Sequence, residues 1–178
     1  MNRLGVLIVV SVAVGLLLVP SSVRADTIIQ SADSGLALVP DPDNIDKDGC
    51  EVMLYQISDD NPDGRPKQRW VFVKTKNGFL LKSAESGLAL VPVAATRKKE
   101  RGKVRLEKVD GEGEEYQRWN LVKTKHGYLI QNVETGLSLV PIRKTAGKEG
   151  GELVLFPVEK ESREGRLDQN WKLVALEP

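Results

Sequence analysis

The sequence predicts an all-β fold built from three equivalent units, and three observations support this prediction. A seven-residue phrase, SGLALVP, occupies residues 34–40 and again 86–92, and a near copy, TGLSLVP, occupies residues 135–141. The triplets QRW, QRW and QNW also recur about 50 residues apart, and they contain all three tryptophans of the chain. Between these repeats apolar and polar residues alternate with a period of two, which indicates half-buried strands.

The first 25 residues stand outside the repeats and have the pattern of an export signal. Arg3 precedes an apolar run at residues 4–19, and Val23-Arg24-Ala25 ends in a small residue suited to cleavage. The run is shorter than the roughly 20 residues that a transmembrane helix needs. We therefore expect residues 1–25 to be a cleaved signal peptide, with an uncleaved membrane anchor as the alternative. Residues 26–178 would then form one secreted or otherwise extracytoplasmic domain, without stable membrane insertion after cleavage.

The composition excludes several function classes. The full chain has 26 basic and 25 acidic residues, so its net charge gives no global attraction to nucleic acid. Cys50 is the one cysteine, which rules out an internal disulfide, and its parity with Val52 and Leu54 predicts that it points into the core. The chain has one histidine, which rules out a site built from several histidines. The sequence thus predicts no nucleic-acid partner, no cofactor and no enzyme activity.

Each unit is expected to contain four short strands. The first precedes the phrase, and the phrase is the second, with Leu36 and Leu38 on one face in unit one. The third follows a polar loop, where Val52 and Leu54 alternate with polar residues, and the fourth begins at the tryptophan. Proline ends each phrase because it cannot donate to a sheet ladder. The first and fourth strands of successive units meet at hairpin turns, for which Asn77-Gly78 is a strong signal.

A piece of about 50 residues with four short strands is only marginally stable alone, but three can share one core. The expected arrangement is a β-trefoil of about twelve strands, with the tryptophans pointing inward and repeats at approximately 26–76, 77–125 and 126–178. We refer to these as units one, two and three. The last strand, at 171–176, should pair with the first, at 27–30, and so remove the open sheet edge.

The three QxW triplets, each preceded by the SGLxL phrase, resemble the repeats of the ricin B-type lectin family over the whole of residues 26–178. The resemblance implies a β-trefoil that binds carbohydrate without catalysis, in shallow pockets of which each repeat can carry one. It also implies that Gln68, Gln117 and Gln169 are structural. The tryptophans beside these glutamines would fill the core: Trp70, Trp119 and Trp171.

The pocket positions implied by the family are only partly retained. Sugar-binding relatives usually carry an aspartate directly after the second leucine of the phrase, a slot expected to face outward and here occupied by Val39, Val91 and Val140. The slot of the stacking aromatic holds Tyr55 in unit one, but Glu107 in unit two.

The resemblance therefore implies tentative carbohydrate-binding residues in two units. Unit one is expected to be the better pocket, with Tyr55 stacking on the sugar, Asp41 or Asp43 accepting from its hydroxyls and Asn61 nearby. Unit three is second, with Phe156 in the aromatic slot and Asp168 before its glutamine.

Two alternatives stay open at this point. The loops after the three prolines differ in sequence, so a sugar-silent trefoil could instead bind a protein through them, as an adaptor or inhibitor does. The acidic loops of unit one, at 44–49 and 59–64, also resemble the start of a calcium loop, although each lacks the closing acid. The basic run at 97–103 is expected to be a solvated loop that Asp110, Glu112, Glu114 and Glu115 partly neutralise.

Overall fold

The computed structural model describes residues 26–57, 66–158 and 165–176, so the predicted signal peptide lies outside the described residues. These residues form twelve β-strands and three short 3-10 helices, at Pro66–Gln68, Glu115–Gln117 and Leu167–Gln169. The strands are β1 (Thr27–Ser31), β2 (Ala37–Pro40), β3 (Val52–Tyr55), β4 (Arg69–Lys74), β5 (Phe79–Ser83), β6 (Ala89–Pro92), β7 (Gly102–Glu107), β8 (Trp119–Thr124), β9 (Gly127–Asn132), β10 (Ser138–Pro141), β11 (Gly151–Phe156) and β12 (Trp171–Ala175). Within the described ranges no helix is long and apolar enough to cross a membrane.

Six of the strands close into a barrel. Around the ring, β1 pairs with β4, β4 with β5, β5 with β8, β8 with β9, β9 with β12, and β12 with β1, always antiparallel. The closing pair runs from Thr27 opposite Ala175 to Ser31 opposite Trp171, which confirms the predicted pairing of the first and last strands. The barrel therefore has no free edge.

The other six strands form three hairpins that cap one end of the barrel. These hairpins are β2–β3, β6–β7 and β10–β11, and each contains the repeated phrase as its first strand. The hairpins also contact one another, since β11 pairs with both β3 and β7, and Glu51 bridges to Arg105. A six-stranded barrel with three capping hairpins is a β-trefoil, as the sequence predicted.

The core lies inside the barrel and repeats around the threefold axis. Each unit contributes its tryptophan, the second leucine of its phrase and two residues from the third strand. Trp70, Trp119 and Trp171 are all 0% exposed. Cys50 lies in the same cluster, as its parity predicted, and burial raises the pKa of its thiol.

Each tryptophan also fixes the phrase of its own unit. Its indole Nε1–H donates to the backbone carbonyl of the second leucine, from Trp70 to Leu38 at 2.8 Å and from Trp119 to Leu90 at 2.8 Å. The third bond, from Trp171 to Leu139, is 2.9 Å long. One side chain thus fills the core and orients the capping hairpin.

The glutamines of the QxW triplets hold backbone around the 3-10 helices. The Nε2–H of Gln68 donates to the carbonyl of Gln56 at 3.0 Å, and that of Gln169 donates to Pro157 at 3.1 Å. The Oε1 of Gln117 accepts from the backbone N–H of Glu114 at 2.8 Å. Gln68 and Gln169 thus tie the end of the third strand to the start of the fourth, while Gln117 holds the loop before its own 3-10 helix.

The three loops that follow the phrases have different sequences but share one hydrogen-bonding pattern. Lys47, Lys99 and Lys148 occupy equivalent positions, and each accepts at its carbonyl from the backbone N–H three residues later. The residue just before that donor has a positive φ: Gly49 at 87°, Arg101 at 62° and Gly150 at 74°. Its N–H donates to the third strand of a neighbouring unit, so these loops are fastened between units.

Candidate functional site

The valines directly before the proline of each phrase do not face solvent, which corrects the expectation from alternation. Val39, Val91 and Val140 are 2%, 0% and 5% exposed. Val39 and Val91 do point away from the main core, but each belongs to a small separate cluster that covers the outer face of its hairpin. An alternating pattern identifies the face of a strand, and other residues then decide whether that face is covered.

Among the described residues of unit one, several side chains pack together on the outer face of the hairpin. Tyr55 and Ile57 are partly buried and pack against the cluster of Ile28 and Val39. The Asp41 carboxylate accepts from the backbone N–H of Asp43 at 3.1 Å and from Asn44 Nδ2 at 2.7 Å, and it thereby stabilises the loop. The Asp43 residue is exposed, and Asn61 lies outside the described residues.

Unit two is filled in a similar way. Val109, which follows its third strand, packs with Leu80 and Val91. Glu107, in the aromatic slot, forms an ion pair with Arg105 on the same strand. The structure therefore leaves no aromatic residue in that slot to stack on a sugar in this unit.

In unit three the corresponding face is open. A cavity of about 420 Å³ lies between the β10–β11 hairpin and the 3-10 helix at Leu167–Gln169. This volume falls in the range of small-molecule binding sites. Phe156 and Val140 form part of the apolar wall, so two predicted pocket slots of unit three meet here. The charged side chains among the residues lining this cavity include Arg101, Arg143, Arg166 and Asp168.

Asp168 is held by two arginines at the cavity wall. Its Oδ1 accepts from Arg166 Nε at 2.9 Å, and its Oδ2 accepts from Arg143 Nε at 3.2 Å. Burial acts to raise the pKa of Asp168, but the hydrogen bonds and positive charges of Arg166 and Arg143 outweigh it and lower the pKa below its ordinary value. Asp168 is consequently a carboxylate at neutral pH, and its position is set by the two guanidiniums.

The arginines of this cavity were not among the binding residues predicted from the sequence. Arg143 and Arg166 were not singled out, and Arg101 belongs to unit two and reaches unit three through the pairing of β7 with β11. One sequence signal for Arg101 existed, because the equivalent slots in units one and three hold glycine. An arginine with φ of 62° in a slot that favours glycine is a local strain, and such strain is typical of functional positions.

Ser138 is a second departure from the threefold pattern. It occupies the slot of Ala37 and Ala89, is 0% exposed, and its Oγ has no hydrogen-bond partner among the described residues. A buried hydroxyl without a partner costs about 1–3 kcal/mol. We expect Ser138→Ala to raise the free energy of unfolding by about 1 kcal/mol, measured by urea denaturation.

A matched control for Ser138→Ala is Ser83→Ala. Ser83 is equally buried, but its Oγ accepts from the backbone N–H of Ser86 at 3.3 Å. Its removal should therefore lower the free energy of unfolding, by up to about 1 kcal/mol. If both variants shift stability in the same direction, the missing partner is not what distinguishes Ser138.

The acidic loop of unit one does not gather its oxygens around one point. Asn44 Oδ1 accepts from Lys47 Nζ at 2.8 Å, and Asp48 Oδ1 accepts from the backbone N–H of Lys108 at 2.8 Å. Across the described ranges, no group of three or more metal-ligating side chains is found. The second acidic loop, at 59–64, lies outside the described residues.

The start of the basic run of unit two is neutralised by an acidic residue other than those expected from the sequence. Arg97 and Lys98 both pair with Glu134 of unit three, at 2.9 Å and 3.1 Å, and Arg97 also lies over the ring of Tyr116. Hydrogen bonding to Lys98, followed by the contact with Arg97, lowers the pKa of Glu134. The first part of this run therefore joins two units and does not form a free basic patch, whereas Arg101 at its other end lines the unit-three cavity.

The twelve strands, the threefold core and the outer-face cavity define a β-trefoil of the lectin-like class. The family profile described as ricin-type beta-trefoil lectin domain-like matches residues 66–156. The chain belongs to this family, which is the one that its repeats resemble. A search of curated protein sequences finds no match.

Solved structures support the same fold. The designed threefold-symmetric protein ThreeFoil is 24% identical with a TM-score of 0.71, over 85% of this chain and 99% of that one. The C-terminal domain of an earthworm lectin, solved as a mutant with 6'-sialyllactose, is 14% identical with a TM-score of 0.60, over 85% and 99%. An exo-β-1,3-galactanase from Clostridium thermocellum is 20% identical with a TM-score of 0.70 over 88% of this chain, which spans 31% of that enzyme.

Proposed function

We propose that this protein is an exported, non-catalytic lectin-like module that binds a carbohydrate in the cavity of unit three. The observation that carries the proposal is the convergence of Val140, Phe156 and Asp168 on one cavity of about 420 Å³. An aromatic ring beside charged hydrogen-bonding groups is the combination that a sugar needs, because its C–H face is apolar and its edge is polar.

Family membership supports the class of ligand. The earthworm lectin domain with the same fold was solved with a bound oligosaccharide. Its sequence is too distant to transfer contacts residue by residue, so the choice of unit three rests on the geometry of this chain. In unit three the aromatic slot holds Phe156, which lines the cavity. The same slot holds Glu107 in unit two, and in unit one it holds Tyr55, which packs against the cluster of Ile28 and Val39.

The electrostatics of Asp168 make it unsuited to act as the general acid of a glycosidase. A glycosidase needs one carboxyl group whose pKa is raised, so that it is protonated and can act as an acid. The pKa of Asp168 is lowered by its two arginines, so this group stays ionised. We therefore propose a binding role without catalysis, and we expect no release of reducing sugar when the protein is incubated with glycans.

Export is proposed from the first 25 residues. The charged start, the apolar run and Ala25 together support cleavage before Asp26. Sequencing the N-terminus of protein collected outside the expressing cells checks this, and a terminus at Met1 would contradict it.

The binding proposal predicts a specific loss on removal of one ring. Phe156→Ala should weaken sugar affinity about tenfold, because an aromatic contact contributes about 1–1.5 kcal/mol. The measurement is a titration of ¹⁵N-labelled protein with a panel of neutral and acidic mono- and disaccharides at millimolar concentrations. Sugar-dependent shifts are expected at backbone amides of β10, β11 and the 3-10 helix at Leu167–Gln169.

Two variants make this result specific to unit three. Tyr55→Ala removes the aromatic residue from the same slot of unit one and should leave affinity unchanged, while Phe156→Tyr keeps a ring and should retain binding. Shifts centred on Tyr55, or a loss of affinity in Tyr55→Ala, would move the site to unit one. If no sugar of the panel perturbs any amide, the protein is not a lectin of this kind.

The alternative of a protein partner bound by the loops remains a prediction. It is motivated by the lack of an acid after the second leucine of the phrase in all three units, where valine stands instead, and by loops that differ in sequence. The structure gives these loops one shared backbone hydrogen-bonding pattern. Capture of a partner that survives an excess of the panel sugars would support it.

A further inference from the structure

The cavity of unit three contains more positive than negative charge. Its described lining has three arginines and two acidic residues, which leaves one positive charge in excess. The arginines are Arg101, Arg143 and Arg166, and the acidic residues are Glu100 and Asp168. In a cavity built for a neutral sugar, a carboxylate accepts hydrogen bonds from hydroxyls. Here both oxygens of Asp168 already accept from guanidinium groups, so the cavity presents mainly donors to a ligand.

Two of the guanidiniums have donor capacity to offer. Arg143 contacts Asp168 through Nε, and its side chain is 73% exposed, so most of the guanidinium remains accessible to a ligand. Arg101 makes no ion pair with any residue in the part of the chain that the structure describes. Guanidinium groups bind carboxylate and sulfate oxygens in pairs, with a geometry that hydroxyl groups do not match.

The backbone of Arg101 gives independent support. Its φ of 62° is unfavourable for a residue with a Cβ, and the two equivalent slots hold glycine at 87° and 74°. Glycine would fit this slot without strain. The slot in unit two holds instead a cation that lines the cavity of unit three, so the strain coincides with the proposed site.

From these observations, and resting on the proposed function, we propose that the cavity selects an acidic sugar. The anionic group, a carboxylate or a sulfate ester, is held by Arg101 and Arg143. Asp168 acts as a positioning residue, which orients Arg143 and Arg166. Phe156 and Val140 receive the apolar face of the ring.

The test compares sugars that differ by one charged group. Lactose is titrated against its sialylated form for the carboxylate and its 3'-sulfated form for the sulfate, by calorimetry at 50 and 500 mM NaCl. We expect at least one acidic form to bind about tenfold more tightly than lactose at low salt. The advantage should shrink at high salt because ions screen the attraction. A difference between the two acidic arms tells which anion the cavity prefers.

Arg101→Gly is the most informative variant. It removes a cation and relieves the positive φ, so the melting temperature should rise by a few degrees while the preference for the acidic form falls at least threefold. Lys144→Gln removes a nearby exposed charge outside the described cavity lining and serves as the control, with the preference unchanged.

Different outcomes would overturn the acidic selection and the lectin function. Equal affinity for lactose and both acidic forms overturns acidic selection and leaves the lectin function standing. Acidic selection by this cavity is also overturned if Arg101→Gly and Arg143→Gln both leave the preference intact, since the anionic group would then be bound at another place. Absence of binding to all panel sugars overturns the lectin function and this inference together.

Discussion

Replacing Trp119 with alanine is expected to lower the free energy of unfolding by about 3–5 kcal/mol, the usual cost of truncating a fully buried tryptophan. Trp119 is 0% exposed, and its indole donates to the carbonyl of Leu90 at 2.8 Å. The variant therefore loses core volume and leaves a buried carbonyl without its donor. Urea denaturation followed by far-UV circular dichroism measures the loss.

Trp119→Phe separates these two contributions. Phenylalanine keeps much of the volume but has no N–H, so the lost hydrogen bond should account for about 1–3 kcal/mol of the decrease. We expect Phe to lie between the native protein and Ala. If Trp119→Ala changed stability by less than about 1 kcal/mol, the threefold tryptophan core would not be the main support of the fold.

Gly127→Ala is expected to lower the free energy of unfolding by about 2–5 kcal/mol, from the strain of an unfavourable φ and from steric overlap. Gly127 has φ of 132°, and a Cβ placed there would lie 2.3 Å from the backbone carbonyl oxygen of Trp171. That carbonyl belongs to β12, which is paired with both β9 and β1, so it cannot move without disturbing the barrel. Thermal and urea denaturation both report the change.

Gly136→Ala is the matched control for Gly127→Ala. Gly136 also has a positive φ, 68°, but a Cβ there meets nothing within 4 Å. Its substitution should cost only the backbone strain, about 1 kcal/mol. Equal losses at the two positions would show that the contact with Trp171 contributes nothing.

The fold could be predicted from the sequence because the same pattern of core-facing leucines and a tryptophan occurs three times. One phrase with two leucines would be an ambiguous apolar run, but three copies in register with three tryptophans indicate a shared core. The alternation of Leu36 and Leu38 with their neighbours also assigned the correct inward face. Val39 does point away from the main core, as alternation predicted, but it is not exposed to solvent, because Ile57 and Tyr55 pack against its cluster.

The candidate site was less accessible to sequence reasoning. Phe156 and Asp168 could be named from their slots, since those depend on spacing within one unit. Arg101 could not, because its place at the cavity depends on how the hairpin of unit two pairs with that of unit three. The presence of a cavity on an outer face likewise depends on how side chains pack in three dimensions, such as Val109 against Leu80 and Val91, which the alternating pattern does not show.

The closed ring of strands has a consequence for the order of the chain. Because Thr27 lies opposite Ala175, the two ends of the domain are neighbours on the barrel, in the place where β4–β5 and β8–β9 have a hairpin turn. A short linker across this gap would complete a third turn, and the chain could then be opened at either of the other two. Circular permutation would preserve every strand pair, so the architecture depends on the cyclic order of the units and not on which unit comes first.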